Sequence, residues 1–545
     1  MIEDDVRNSI LKIVFNEYGR DNVLAACIYG SHVAGYARPD SDYDIIVVLR
    51  NYAAKIGYKY IREPILASIL AVEKRILYDD AKKSSLGEFV VGRFLNIYEP
   101  LVGKDLLEEV EIEYKKRVIL EILSEFNGKF QPLMNVIRFP LKYFLFEKLR
   151  RRMQFYPPAV YSYTKTYGGA LREKNIEFSL EGFRRAALQL VKEKCCIAFK
   201  DDIVWISDPN SFNRISKIKA IVEETKRDIT SYATHIYCGR VGVSIILEEL
   251  KSKIERQGKV ELLNDLKYPS KYLNVPEGIV IVNEKDWIKR MVECLELGDD
   301  YSYRVEKIGG YGIDKIVSVA RKYVFMSNGK VFNVVVKRFR DPRNIKWAVL
   351  ALATLADIRF EVLPLKRMAN EYTNNLEFKR FGFNVPKIHA VDLDRIQLIT
   401  EYIEGENVST LLKNGEFEVL EKVGEEIGRL HSKGYALGDA KPDNMIVSKD
   451  DKIFFTDLEQ AKVGGEIVWD IAEFINYSLA FSFDAEYAWK IANIFSKGYL
   501  KYGRAEDLRK VGDKKYSLIF KPFITPQVSK SILLGIEEAI NDASA

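Results

Sequence analysis

Apolar residues first gather in two short uninterrupted runs, Val23 to Tyr29 and Ile45 to Leu49, separated by a Gly-Ser turn and an Asp-rich loop. Runs of this length bounded by turn residues predict buried strands, and with them a small α/β beginning. Between Leu106 and Arg152 the spacing becomes helical and increasingly basic. Pro157-Pro158 stops it, because proline removes a backbone donor and crowds the preceding turn. Leu180 to Glu193 predicts an amphipathic helix, and Cys196 to Ile206 a hairpin turning at Asp201-Asp202. From Pro209 to Leu297 the pattern is mixed and mainly helical, with one apolar strand at Gly278 to Val282, and suggests no chemistry. Further on, Val334-Val335-Val336-Lys337 predicts a buried strand ending in a lysine, Leu365 to Phe381 a helix, and Ile453 to Thr456 another strand. No internal repeat or low-complexity tract interrupts the pattern.

A chain of 545 residues exceeds one core, since domains usually hold roughly 100 to 200 residues. The pattern divides it into 1–125, 126–208, 209–297 and 298–545, the second segment carrying the helix-plus-hairpin order of a winged-helix module. Hydrophobic residues at 47% and aromatics at 12% exclude a disordered chain. The 83 basic and 78 acidic residues leave only +5, so any contact with nucleic acid must come from local patches. Five cysteines without a C-x-x-C pair form neither a disulfide framework nor a zinc site. An acidic start, Met1 to Asp5, and the absence of a long apolar run predict a cytoplasmic protein. Abundant Lys, Arg and Glu beside sparse Gln suggest a heat-adapted source.

Five features then occur in the order that phosphoryl transfer from ATP needs. Gly309, Gly310 and Gly312 would let a hairpin lie close over phosphates, although a glycine-rich hairpin is commonly just a turn. Lys337 would hold the α- and β-phosphates, and Glu371 on the next helix would pair with it and fix it, where the ordinary reading is a surface glutamate. In Gly438-Asp439-Ala440-Lys441-Pro442-Asp443-Asn444, Asp439 can orient the attacking hydroxyl and Lys441 can neutralise the transferring phosphoryl group. Asn444 and Asp457, the latter closing the next strand, can hold magnesium. These residues resemble the protein-kinase-like superfamily, specifically its RIO-type members, over residues 300 to 545. The resemblance implies a bilobal kinase-like fold, a hinge at Glu401 and Tyr402 that meets adenine, and in Asp470 a buried aspartate steadying the catalytic loop. Leu437-Gly438-Asp439 stands where ordinary kinases have His-Arg-Asp, and Asp457-Leu458-Glu459 replaces Asp-Phe-Gly. No Ala-Pro-Glu segment follows, which makes a non-peptide acceptor the expectation.

At the front, Gly30-Ser31 followed by Asp42-Tyr43-Asp44 resembles the minimal nucleotidyltransferase signature, in which carboxylates at i and i+2 on one strand face share magnesium. That family also needs a third carboxylate on a later strand, for which Glu73 is the candidate, with Glu63 behind it. Either the domain is active, or it is a retained scaffold that binds RNA ends or backbone. Arg150, Arg151, Arg152, Lys165 and Arg172 interleave with tyrosines, as an RNA-binding surface requires, while packed tyrosines beside a solvated helix end are the bland alternative. Arg338, Arg340, Arg343 and Lys346 form a second basic cluster that could guide a polyanion.

The whole is therefore expected to be a multidomain α/β and α+β protein: a nucleotidyltransferase-like α/β domain, a winged-helix-like and mixed linker region, and a bilobal kinase-like domain. This order resembles the archaeal RNA kinases, which phosphorylate an internal ribose 2′-hydroxyl in tRNA. The resemblance implies ATP and Mg2+ as cofactors and tRNA as partner. A RIO-like protein Ser/Thr kinase is the alternative, followed by a nucleotidyltransferase acting on RNA or protein and by an ATP-switched RNA-binding adaptor.

Overall fold

A computed structural model describes residues 2–155, 158–238, 262–298, 300–307, 318–340, 361–482, 484–520 and 524–544. They form two compact units, Met1–Pro276 and Glu277–Ala545.

The first unit is built on five strands, β1 (Val23–Tyr29), β2 (Tyr43–Leu49), β3 (Ile56–Ile61), β4 (Ala67–Glu73) and β5 (Tyr98–Val102), in the order β3-β4-β2-β1-β5. β2 and β4 run parallel; the other neighbours are antiparallel. Ile45, Val47, Leu49, Ile69 and Ala71 pack on one face with Ile10 and Val14 of helix α1 (Asp4–Tyr18). The alternate residues Ile46, Val48, Leu70 and Val72 are also buried. Both faces are covered, which is why the strands read as continuous apolar runs rather than alternating ones. The unit continues with α2 (Ser31–Ala34), α3 (Lys74–Lys83), α4 (Lys104–Phe130), α5 (Leu141–Phe155), α6 (Pro158–Gly168), α7 (Arg172–Lys192) and α8 (Lys217–Tyr237). The hairpin expected at Asp201-Asp202 forms from β7 (Ile197–Lys200) and β8 (Ile203–Ile206), with both turn residues at positive φ. β6 (Phe139–Pro140) adds to its edge.

The second unit holds a six-stranded sheet in the order β10-β11-β12-β14-β13-β9. These are β9 (Ile279–Ile281), β10 (Ser302–Lys307), β11 (Ser318–Ser327), β12 (Lys330–Phe339), β13 (Ile388–Asp392) and β14 (Gln397–Glu401). β9 pairs parallel with β13, so residues that the sequence assigned to a connector before 298 add a strand to this sheet. β11 and β12 turn at Asn328-Gly329, φ 50° and 73°, the left-handed pair whose twist suits a tight hairpin. Helix α9 (Pro364–Arg380) follows β12 in the described chain. Beyond β14 the chain turns helical: α10 (Val419–Ser432), α11 (Ile467–Ser478), α12 (Ala485–Tyr499) and α13 (Pro526–Ser544) share one apolar core with the short strands β17 (Met445–Ser448) and β18 (Ile453–Phe455). A sheet layer joined to a helical layer is the kinase-like arrangement.

Candidate active site

Lys337 leaves β12 beside Leu398 of β14. Its Nζ lies 2.8 Å from Asp457 Oδ1, 3.2 Å from Glu371 Oε2 and 3.5 Å from Glu459 Oε2. Burial alone would lower this lysine, but Asp457, Glu371 and Glu459 outweigh it and hold the ammonium above its ordinary range. In return Lys337 keeps Asp457 ionised despite burial. Glu371, the partner expected from the sequence, is pushed up to about 7 by burial, against the pull of Lys337.

Asp457 follows β18 at φ 60°, a left-handed conformation that aspartate tolerates better than most residues. The segment after it is clamped by one face of α9. Arg367 donates through Nε (2.9 Å) and Nη2 (2.6 Å) to Glu459 Oε1, Asn370 to the Glu459 carbonyl (3.1 Å), and Asn374 to the carbonyls of Leu458 (2.9 Å) and Ala461 (2.6 Å). With Glu371, these positions are the i, i+3, i+4 and i+7 stripe of one helix face. That stripe was the signal in the sequence for Arg367, Asn370 and Asn374, which motif reasoning missed.

The loop carrying Asp439 sits between β16 (Tyr435–Ala436) and β17. Asp439 is bracketed by Asn444 Nδ2, 2.9 Å from Oδ2, and by Lys441 Nζ, 2.8 Å from Oδ1. With Nδ2 committed to Asp439, Oδ1 is the atom Asn444 has left to offer a cation. Thr456 ties the end of β18 back to the Asn444 carbonyl (2.9 Å). Asp470 on α11 is fully buried and accepts from the backbone N–H groups of Leu437 (2.6 Å) and Gly438 (2.8 Å), with His431 Nε2 at 3.0 Å. One turn on, Glu473 accepts from Ala440 N (2.8 Å). Gly438 has φ 73°, and a Cβ there would come within 2.7 Å of the Gln460 carbonyl, so only glycine fits. Glu401 closes β14 opposite Val334 and its carboxylate accepts from Lys387 N at 2.8 Å; Tyr402 lies under Lys322, 4.3 Å from the ring centroid. Gly309, Gly310, Gly312, Arg343 and Lys346 lie outside the described residues.

Among the described residues, the carboxylates of Glu371, Asp457 and Glu459 present oxygens within 4.8 Å of one another. Glu459 Oε2 is buried without a hydrogen bond. A hard divalent cation suits such a set, since oxygen ligands and uncompensated negative charge are what magnesium requires.

At the front, Tyr29 pairs with Asp44, which brings the Gly30-Ser31 turn against the carboxylate: a Cβ on Gly30, φ 80°, would lie 2.5 Å from Asp44 Oδ2. Asp42 immediately precedes β2, at the i−2 position to Asp44. Glu73 is not brought to them. In the parallel register Asp44 pairs with Ser68, whereas Glu73 pairs with Leu49. That is five residues away, about 17 Å along the strand, and of opposite parity, hence on the other sheet face. Glu63 lies exposed in the loop before β4.

Part of the first basic cluster is corrected as well. Arg151 turns to Glu125 of α4 and to Glu147, and Arg152 to Glu88 and Tyr163, whereas Arg150 pairs with Glu147 one turn back on α5 itself, so all three are engaged in ion pairs within the unit. Arg172 pairs with Asp265 at 2.8 Å and Lys165 lies over Tyr161. Arg338 and Arg340 are exposed.

Residues 10–76 match the family model described as Polymerase beta, Nucleotidyltransferase. The chain is 39% identical over 88 residues to the KEOPS complex subunit Bud32 of Pyrococcus abyssi, a stretch covering 15% of this chain and 40% of that protein. It is 33% identical over 110 residues to the Probable bifunctional tRNA threonylcarbamoyladenosine biosynthesis protein of Thermoplasma acidophilum, 20% of each chain. To the protein of the same name from Methanococcus vannielii it is 28% identical over 152 residues, 27% of this chain and 26% of that one. Each match spans less than half of the relative's own length. The chain thus carries a nucleotidyltransferase-like domain at its front and a kinase-like unit behind it, with partial similarity to Bud32 and to tRNA threonylcarbamoyladenosine biosynthesis proteins.

Proposed function

We propose that the second unit transfers the γ-phosphate of ATP to a hydroxyl, and that this hydroxyl is an internal ribose 2′-hydroxyl of tRNA. The observation that carries the reading is the Asp439 carboxylate held between Lys441 and Asn444, in the same unit as the half-buried Lys337–Asp457 pair. Asp439 orients the attacking hydroxyl, Lys441 balances charge on the transferring group, and Lys337 holds the nucleotide phosphates. Asp457 and Asn444 would hold magnesium, which neutralises charge on the β- and γ-phosphates when bound. Two relatives named for tRNA modification support an RNA acceptor, as do the exposed Arg338 and Arg340 beside Lys337.

A protein acceptor is the second reading, favoured by similarity to a protein named as the subunit of a complex. Incubation of the purified chain with γ-labelled ATP, magnesium and total tRNA, followed by nuclease digestion and mass analysis, separates the two. A nucleotide heavier by one phosphate and resistant to cleavage on its 3′ side is the expected product. Label found only on protein would move the assignment to a protein kinase.

A further inference from the structure

Helix α11 presents one stripe of side chains to the loop carrying Asp439. Asp470 and Glu473, at i and i+3, are buried and spend their carboxylates on the backbone N–H groups of Leu437, Gly438 and Ala440. Tyr477, at i+7, continues the stripe but leaves the core, with 44% of its surface exposed.

One ammonium ties this ring to the group that orients the acceptor. Lys441 Nζ lies 2.8 Å from Asp439 Oδ1 and 5.2 Å from the Tyr477 ring centroid. Cation–π attraction thus keeps the ring next to Asp439. Phe520, closing the short helix Lys514–Phe520, meets the Tyr477 ring at right angles, 6.2 Å between centroids and 88° between planes. Phe520 stacks in turn on Trp469 of α11, which is buried. The tyrosine ring is therefore oriented by two neighbours and still reaches solvent beside the reacting hydroxyl's position.

A serine or threonine acceptor brings no π system to that place. A ribose does, because its base hangs from C1′, next to the C2′ that carries the reacting oxygen. Bases stack on exposed aromatic rings whatever their identity, and an adjacent cation favours the neighbouring phosphates. We propose that Tyr477 stacks on the base of the acceptor nucleotide and thereby sets its 2′-hydroxyl over Asp439. The assignment rests on the RNA-phosphorylation reading above and makes Tyr477 a substrate-binding residue within it.

Transfer from γ-labelled ATP to total tRNA, with the two concentrations varied separately, compares the full chain with its Tyr477→Leu, Tyr477→Phe and Tyr477→Trp variants. In Tyr477→Leu, kcat/KM for tRNA is expected to fall about 5- to 150-fold, the worth of one base–ring stack, while the KM for ATP changes by no more than about twofold. Tyr477→Phe and Tyr477→Trp keep a ring and should restore transfer to within about threefold of the parent. The new indole of Tyr477→Trp should also be quenched by tRNA beyond the quenching of the parent's five tryptophans, a signature that a purely structural role would not produce. Should Tyr477→Leu melt early, the two aromatic variants carry the test. Label found only on protein, or no transfer to RNA by the parent, would overturn the RNA reading and this assignment with it. Transfer by the parent with an undiminished kcat/KM in folded Tyr477→Leu, Tyr477→Phe as impaired as Tyr477→Leu, or no added quenching in Tyr477→Trp would overturn the stacking assignment alone.

Discussion

Glu459 illustrates how one residue redirects a motif. Where ordinary kinases place glycine after Asp-Phe, this chain sets a carboxylate that accepts Arg367 from α9 and turns its second oxygen toward Lys337. The cost is an acid-rich pocket around Asp457, which a divalent cation would offset. Asp457→Ala is therefore expected to abolish magnesium-nucleotide turnover. Asp439→Ala should leave ATP affinity nearly intact while slowing transfer by about 10²- to 10⁴-fold, the usual worth of a positioned general base. Single-turnover transfer and nucleotide titration measure both, and parent-like activity of either variant would remove it from the site.

Helix α9 and the parallel pair β2–β4 carry the lessons at the scale of elements. α9 reads in the sequence as an ordinary helix, yet its Arg367, Asn370, Glu371 and Asn374 stripe faces the Asp457 segment and supplies much of that segment's hydrogen bonding. Asn374→Ala removes the side-chain donor to the Ala461 carbonyl and leaves the Leu458 carbonyl with only the Ala461 N–H at 3.2 Å, which should cost about 1 to 3 kcal/mol. A lower melting temperature with a raised KM for ATP is the expected pair of changes. Unchanged melting would mean that the segment holds without the clamp. In β2–β4, strand existence was legible from the apolar runs, but register was not. A candidate carboxylate chosen by proximity to a strand end, Glu73, proved to have the wrong parity and the wrong end, and only pairing reveals Ser68 beside Asp44. The β11–β12 turn was legible in principle: Asn328-Gly329 between apolar runs is a strong hairpin signal.

For the molecule as a whole, each unit possesses its own sheet and its own apolar core. Residues 277–545 produced alone should fold cooperatively and bind magnesium-ATP. If the front unit contributes the grip on RNA, this fragment should phosphorylate tRNA at least tenfold more slowly than the full chain. Circular-dichroism melting and initial rates on tRNA check the two halves of that statement. Equal rates would assign recognition to the kinase-like unit, where Arg338 and Arg340 are exposed.

Local chemistry was determined by the sequence itself. The order Lys337, Glu371, Asp439, Asn444, Asp457 and the Gly30-Ser31…Asp42-Tyr43-Asp44 spacing are short-range patterns, in which residue type and separation carry the meaning without knowledge of the fold. Partnership was decided only by the tertiary structure. Arginines 150 to 152 look like a surface for RNA until α4, α5 and the residue 88 loop bring Glu88, Glu125 and Glu147 to meet them, and a lone Ser68 acquires meaning only beside Asp44. A charge is a ligand-binding group or half of a buried ion pair according to what folding places within a few ångströms of it. Contacts such as Arg151–Glu125 and Arg152–Glu88, 26 and 64 positions apart, leave no periodicity for a sequence to display.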